Sequence, residues 1–198
     1  MLTYREAHLP RMLLPGILLL IVLVCGCVGT TNVPLDYSVI AGPKEDCSLS
    51  LAVAQFKDAR GNAQGIGRTE AGRTFYPDRL VEDWVTQSLI SELESAGCRV
   101  SRAEEPGEAP EFTLQGRVDA AWLTQLSSAE YRVKLHVYLQ ITKKGRQIHA
   151  ESFRTSLKRT VFPSSGVPQK LVREALQDTM RVLVPKALEV CRGAGTSS

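Results

Sequence analysis

One covalent chemistry is spelled out by residue type and spacing. In Val24-Cys25-Gly26-Cys27 a hydrophobic residue stands three before a cysteine and two small residues lie between, the spacing at which a cysteine sulfur accepts diacylglycerol before cleavage. Arg5 and Arg11 supply a positive stretch upstream, and the leucine-rich run from Leu13 supplies a short apolar region. Cys25 is the poorer acceptor, because bulky Val24 directly precedes it. A spanning helix is the competing reading. The apolar run from Met12 to Val28 sits at the short edge of the roughly 17 to 25 residues such a helix needs, and Pro15-Gly16 weakens it. Residues 1–26 therefore read as a lipoprotein signal peptide, cut between Gly26 and Cys27, with Cys27 lipidated.

Other chemistry-bearing residues are sparse. His136 and His149 fall on the polar faces of neighbouring predicted strands, and with Asp119 and Glu151 they have the types for a metal or acid–base cluster. No HExxH spacing accompanies them, and a solvated strand face explains the same residues, so no catalytic residue, metal ligand or cofactor is assigned. The glycine-rich loop at 61–72 lacks both GxGxxG and GK[ST] and is followed too late by a helix, so no nucleotide is expected there. It reads as an exposed connection, with Ile66 its one large apolar side chain. Of the remaining cysteines, Cys47 precedes the first predicted strand and Cys191 follows the last helix. If one pair bridges, Cys47–Cys191 is the expected disulfide, with Cys98 as a small core residue; three free thiols are an equal alternative, and both stay open.

The elements that position these residues follow from periodicity. Residues 27–46 hold prolines, glycines and no sustained period, and read as a lipidated flexible tether with a reach of up to roughly 60 Å at about 3.3 Å per residue. Ser48 to Phe56 alternates as a strand. Pro77-Asp78 opens a helix that Gly97 stops. Alternation is clearest in Phe112–Leu123, with even positions including Ala120 and Trp122 apolar, and in Tyr131–Thr142, with odd positions apolar. The turn at Gly145 returns the chain as Gln147–Leu157, with a bulge expected near Ser152-Phe153. Pro168 begins a final amphipathic helix in which Pro185 predicts a kink or an early end near Val184. The order β-α-β-β-β-β-α gives an α+β fold: a two-layer α/β sandwich with a mainly antiparallel sheet and two helices on one face. The expected organisation is one domain at 47–192 and a disordered tail at 193–198.

Composition bounds the partners. Removing residues 1–26 takes Arg5, Arg11 and Glu6 out of 24 Lys/Arg and 21 Asp/Glu and leaves a formal charge of +2, which gives no nucleic-acid footprint. The solvated sheet face is more specific. Arg117, Arg132, Lys134, His136 and Arg154 gather there in the predicted register, with His149, Asp119 and Glu151, as a basic face suited to an acidic partner.

The sequence resembles the YajG-like family of bacterial lipoproteins and, more distantly, the small domains of auxiliary lipoproteins of ABC-type transport. The likeness rests on Cys27, the helix end Ala96-Gly97-Cys98-Arg99-Val100, the strand Leu114-Gln115-Gly116-Arg117-Val118, the strand from Tyr131, the turn at Gly145 and the closing helix. It departs in Cys98, where the family tends to carry an aromatic or aliphatic residue. The resemblance implies an address and a fold but no catalytic residues. The expected protein is a non-enzymatic envelope lipoprotein, held to the membrane by its N-terminal lipid, with a periplasmic binding or scaffolding domain and an envelope protein partner. Val28 after Cys27, where an aspartate would favour inner-membrane retention, points to the outer membrane. The alternatives are an auxiliary lipoprotein of an ABC- or MCE-type transport assembly and a periplasmic enzyme.

Overall fold

The computed structural model describes residues 31–40, 47–103, 110–162 and 166–195; Gly26, Cys27 and the signal region lie outside them. Strands β1 (Asn32–Val33), β2 (Ser50–Val53), β3 (Lys57–Asp58), β4 (Gly67–Arg68) and β5 (Thr74–Pro77) precede helix α1 (Val81–Ser95). Strands β6 (Arg99–Arg102), β7 (Phe112–Gln125), β8 (Glu130–Lys143) and β9 (Arg146–Thr160) follow, and helix α2 (Val167–Gly195) closes the fold.

Strand β7 is the spine of the sheet. On one edge it pairs antiparallel with β8, which pairs antiparallel with β9. Along its other edge β2, β3 and β4 line up one after another, all parallel to it. Strand β6 joins outside β2, while β5 and then β1 join outside β4. The long ladders are thus antiparallel and the short ones mostly parallel, an α+β sandwich whose two helices cover one face.

Strict alternation in β8 explains the layering. Tyr131, Val133, Leu135, Val137, Leu139 and Ile141 are all buried towards the helices. Helix α2 meets them with Leu171, Val172, Ala175, Leu176, Met180, Leu183, Leu188 and Cys191, and α1 adds Trp84, Val85, Leu89 and Leu93. Gly116 has a packing reason: a Cβ there would collide with the Phe56 ring and the Tyr138 carbonyl oxygen.

Several expectations are corrected. The tether reading fails for residues 31–40, which form a strap over the helices. Val33 and Leu35 are 1% exposed, Trp84 Nε1 donates to the Asp36 carbonyl at 3.0 Å, and Arg173 pairs with Asp36 at 2.6 Å. Buried Glu92 accepts from Tyr37 Oη at 2.5 Å and from the Ile40 amide at 2.8 Å. Burial pushes the Tyr37 hydroxyl well above the usual phenol range, and its bond to the Glu92 carboxylate reinforces this. Asp78 accepts the Leu35 amide at 2.8 Å, and the helix opens at Val81 because Pro77 belongs to β5.

Cys47 bridges Cys98, 51 residues on, and Cys191 is the buried thiol. Helix α1 ends in a Schellman turn: Gly97 has φ 87°, its amide reaches the Glu94 carbonyl, and the Cys98 amide reaches the Leu93 carbonyl at 3.1 Å. The turn delivers Cys98 to the start of β6, parallel to β2, which Cys47 precedes. Parallel neighbours bring their N-terminal ends together, which a reading of chain order alone misses.

Helix α2 does not end near Val184 but runs through Pro185 to Gly195, so residues 193–195 are helical and only 196–198 of the expected tail lie outside the described residues. Lys143 Nζ donates to the Ala194 carbonyl at 2.7 Å in its last turn. The loop at 61–72 is only partly exposed: Ile66 is 2% exposed, and Gly67 of β4 lies against Leu123 so closely that any Cβ would strike its carbonyl.

Candidate binding face

Two one-residue bulges decide which side chains share the uncovered face. In β7 the register with β8 slips at Asp119, so Val118 faces the core opposite Val137 while Ala120 lies opposite His136 and Trp122 opposite Lys134 on the open side. Parity without the bulge assigns Ala120 and Trp122 to the core. In β9 the register slips at Ile148, between the Thr142–Gln147 and Ile141–His149 pairs, and not near Ser152. His149 and Glu151 are thereby turned to the helix side.

The candidate histidine–carboxylate cluster is therefore split between the two faces. His149 Nε2 lies 3.0 Å from Glu151 Oε2 on one, and His136 Nε2 lies 3.7 Å from Asp119 Oδ2 on the other. Among the described residues no three His, Cys, Asp or Glu side chains gather as a metal-binding group.

The five predicted basic residues do share the open face. Arg117 stacks on the Tyr138 ring at 4.0 Å and bonds Asp119 at 2.8 Å. Arg154 lies opposite His136 and donates to it at 3.4 Å, while Lys134 and Arg132 stand along the same side of β8. The register adds residues that sequence periodicity missed: Lys57 and Arg68 sit on two-residue strands too short to show alternation, and Lys158 lies one residue past the predicted end of its strand at Leu157. Lys57 lies beside Arg117, Arg68 beside Thr124, and Lys158 opposite Arg132. Arg99, beside Ser50, completes the set. Among the described residues this face carries eight Lys or Arg against two carboxylates, Asp119 and Glu130, an excess of six positive charges. Glu130 is held by Lys158 at 2.7 Å, and both acids lie beside cations.

Away from this face, a concavity of about 470 Å³ lies between the C-terminal halves of the helices, lined by Ile40, Met180, Val184, Pro185 and Leu188 together with Arg181 and Glu189. Its buried polar side chain, Glu92, is engaged by the strap.

With this geometry in view, the chain can be set beside known proteins. No family model matches it, and no curated protein matches it. Among solved structures, a Xanthomonas campestris protein of the DUF330 family superposes with a TM-score of 0.68 at 13% identity, covering 84% of this chain and 99% of that one. The chain shares that fold. A second structure, of an uncharacterised protein, gives a TM-score of 0.51 at 15% identity over 78% of this chain and 97% of the other. PelC from Paraburkholderia phytofirmans gives 0.42 at 12% identity over 71% and 94%, too distant to carry an argument. Such identities speak to the fold alone.

Proposed function

We propose that this protein is a lipid-anchored, non-enzymatic component of a bacterial envelope, exported by the signal at 1–26 and acylated at Cys27, that acts by binding an anionic partner through its open sheet face. The observation that carries the binding reading is the excess of six positive charges on one uncovered sheet surface in a chain whose whole formal charge is +3. The Cys47–Cys98 bridge supports an oxidising, exported location independently of the signal. Among the described residues no helix is long and apolar enough to cross a membrane. The YajG-like resemblance and Val28 favour the outer membrane.

The test is photocrosslinking in intact cells from a probe at Lys134, followed by identification of what is attached. The reading expects adducts that vanish when Arg132 and the neighbouring Arg154 are reversed to glutamate. An unchanged adduct set contradicts it. Capture of an ABC permease or an MCE-type component would instead assign the protein to a transport assembly.

A further inference from the structure

The first described residue, Thr31, leads into β1 at one edge of the sheet, and the open face begins beside that edge. Thr31 is bonded into the sheet: its hydroxyl donates to the Thr74 carbonyl and its carbonyl accepts from the Tyr76 amide. Only four peptide units separate it from Cys27, a span of at most about 14 Å when fully extended. A domain anchored at Cys27 therefore cannot stand far off the membrane, which raises the question of which surface it lays down.

We propose that the cationic sheet face lies against the anionic headgroup surface of the bilayer that holds the Cys27 lipid; this rests on the lipid-anchor reading above. Register supplies the geometry. Next to β1, Thr74 of β5 pairs with Arg68, Arg68 with Thr124, Thr124 with Arg132, and Arg132 with Lys158. At about 4.8 Å per strand, Arg68 lies roughly 10 Å and Arg132 roughly 19 Å across the sheet from β1. A row of cations thus begins roughly 10 Å from β1, the strand that Thr31 leads into, and runs away from it on one plane.

Aromatic placement points the same way. Tyr76, 48% exposed, pairs with Asn32 of β1, and Trp122 stands opposite Lys134 on the open side. Tyr and Trp with an apolar body and a polar edge suit headgroup depth, and cations beside them suit an anionic leaflet. An acidic protein would answer the charge equally well but gives no reason for the cations to start beside the anchor.

The full-length lipidated protein, reconstituted into phosphatidylcholine vesicles with or without phosphatidylglycerol, separates anchoring from docking. Co-flotation reports the anchor; quenching of Trp122 by a headgroup spin-labelled lipid, with Trp122→Phe defining the signal of Trp84, reports the face. We expect flotation with both vesicles and quenching of Trp122 on anionic vesicles only, lost at high salt. Arg132→Gln with Lys134→Gln should lower the docked population about fivefold for each cation removed. Retained flotation with Trp122 unquenched on anionic vesicles, or equally quenched on neutral ones, overturns the docking inference while leaving the anchor standing. Loss of flotation from both vesicle types overturns the anchor and the docking together.

Discussion

Arg60 determines what the glycine-rich loop is. Its side chain is 6% exposed and donates from Nε and Nη2 to the two Asp58 carboxylate oxygens at 2.8 and 2.7 Å, and from Nη1 and Nη2 to the Gly65 and Ala63 carbonyls. The loop presents carbonyl oxygens to this buried cation, the opposite polarity to a phosphate cradle, which presents amides. The guanidinium holds the Asp58 carboxyl below the usual carboxylate range against a smaller upward push from burial. Because the folded state lowers this pKa, the pair contributes stability above the unfolded value near 3.9, lost as pH falls through the folded one. Arg60→Ala should cost about 2–3 kcal/mol at neutral pH by urea denaturation, and Asp58→Asn should flatten the acid limb of stability against pH. An unchanged acid limb would remove this role. Cysteines give a second residue-scale expectation. Burial pushes the Cys191 thiol up to about 12. In the mature chain, with Cys25 removed and Cys27 acylated, iodoacetamide at mildly alkaline pH should leave the native protein unmodified, add one group after denaturation and three after denaturation with reduction. An adduct on native Cys191 would contradict its burial.

At the scale of elements, the long strands and both helices were legible because their periodicities persist over many residues. Tyr131–Thr142 predicted its buried face residue by residue, and the stop at Gly97 was readable from one glycine. What escaped has a common cause: one-residue events leave no periodic trace. The bulges at Asp119 and Ile148 each reverse parity downstream, moving Trp122 outward and His149 and Glu151 inward. The strap escaped because its hold is on side chains rather than on any pattern of its own. Periodicity leaves Glu92 on the polar side of its helix, outside the apolar stripe, yet it is buried because Tyr37 and the Ile40 amide reach it. Glu92→Gln should lower stability by about 1–3 kcal/mol and speed hydrogen exchange at the Ile40 amide ahead of the sheet amides. Equal exchange in both proteins would mean that the strap is held by its apolar side chains alone.

For the whole molecule, net charge conceals organisation. A formal +3 reads as near neutral, yet the topology collects eight cations on one plane, five from the long strands β7–β9 and one each from the short strands β3, β4 and β6. Two of the five predicted basic residues, Arg132 and Lys134, lie in the stretch nearest β1, and this gives the face a direction relative to the chain's start. The strap also shortens the reach from the anchor: residues 31–40 pack on the helices, so at most four peptide units, about 14 Å, separate Cys27 from a packed residue. The anchor and the docking both depend on acylation at Cys27. Metabolic labelling with a palmitate analogue, comparing the wild-type chain with Cys27→Ala, tests that most directly. The account predicts a labelled, membrane-associated wild-type protein and no label on the variant; label of undiminished intensity on Cys27→Ala would contradict it.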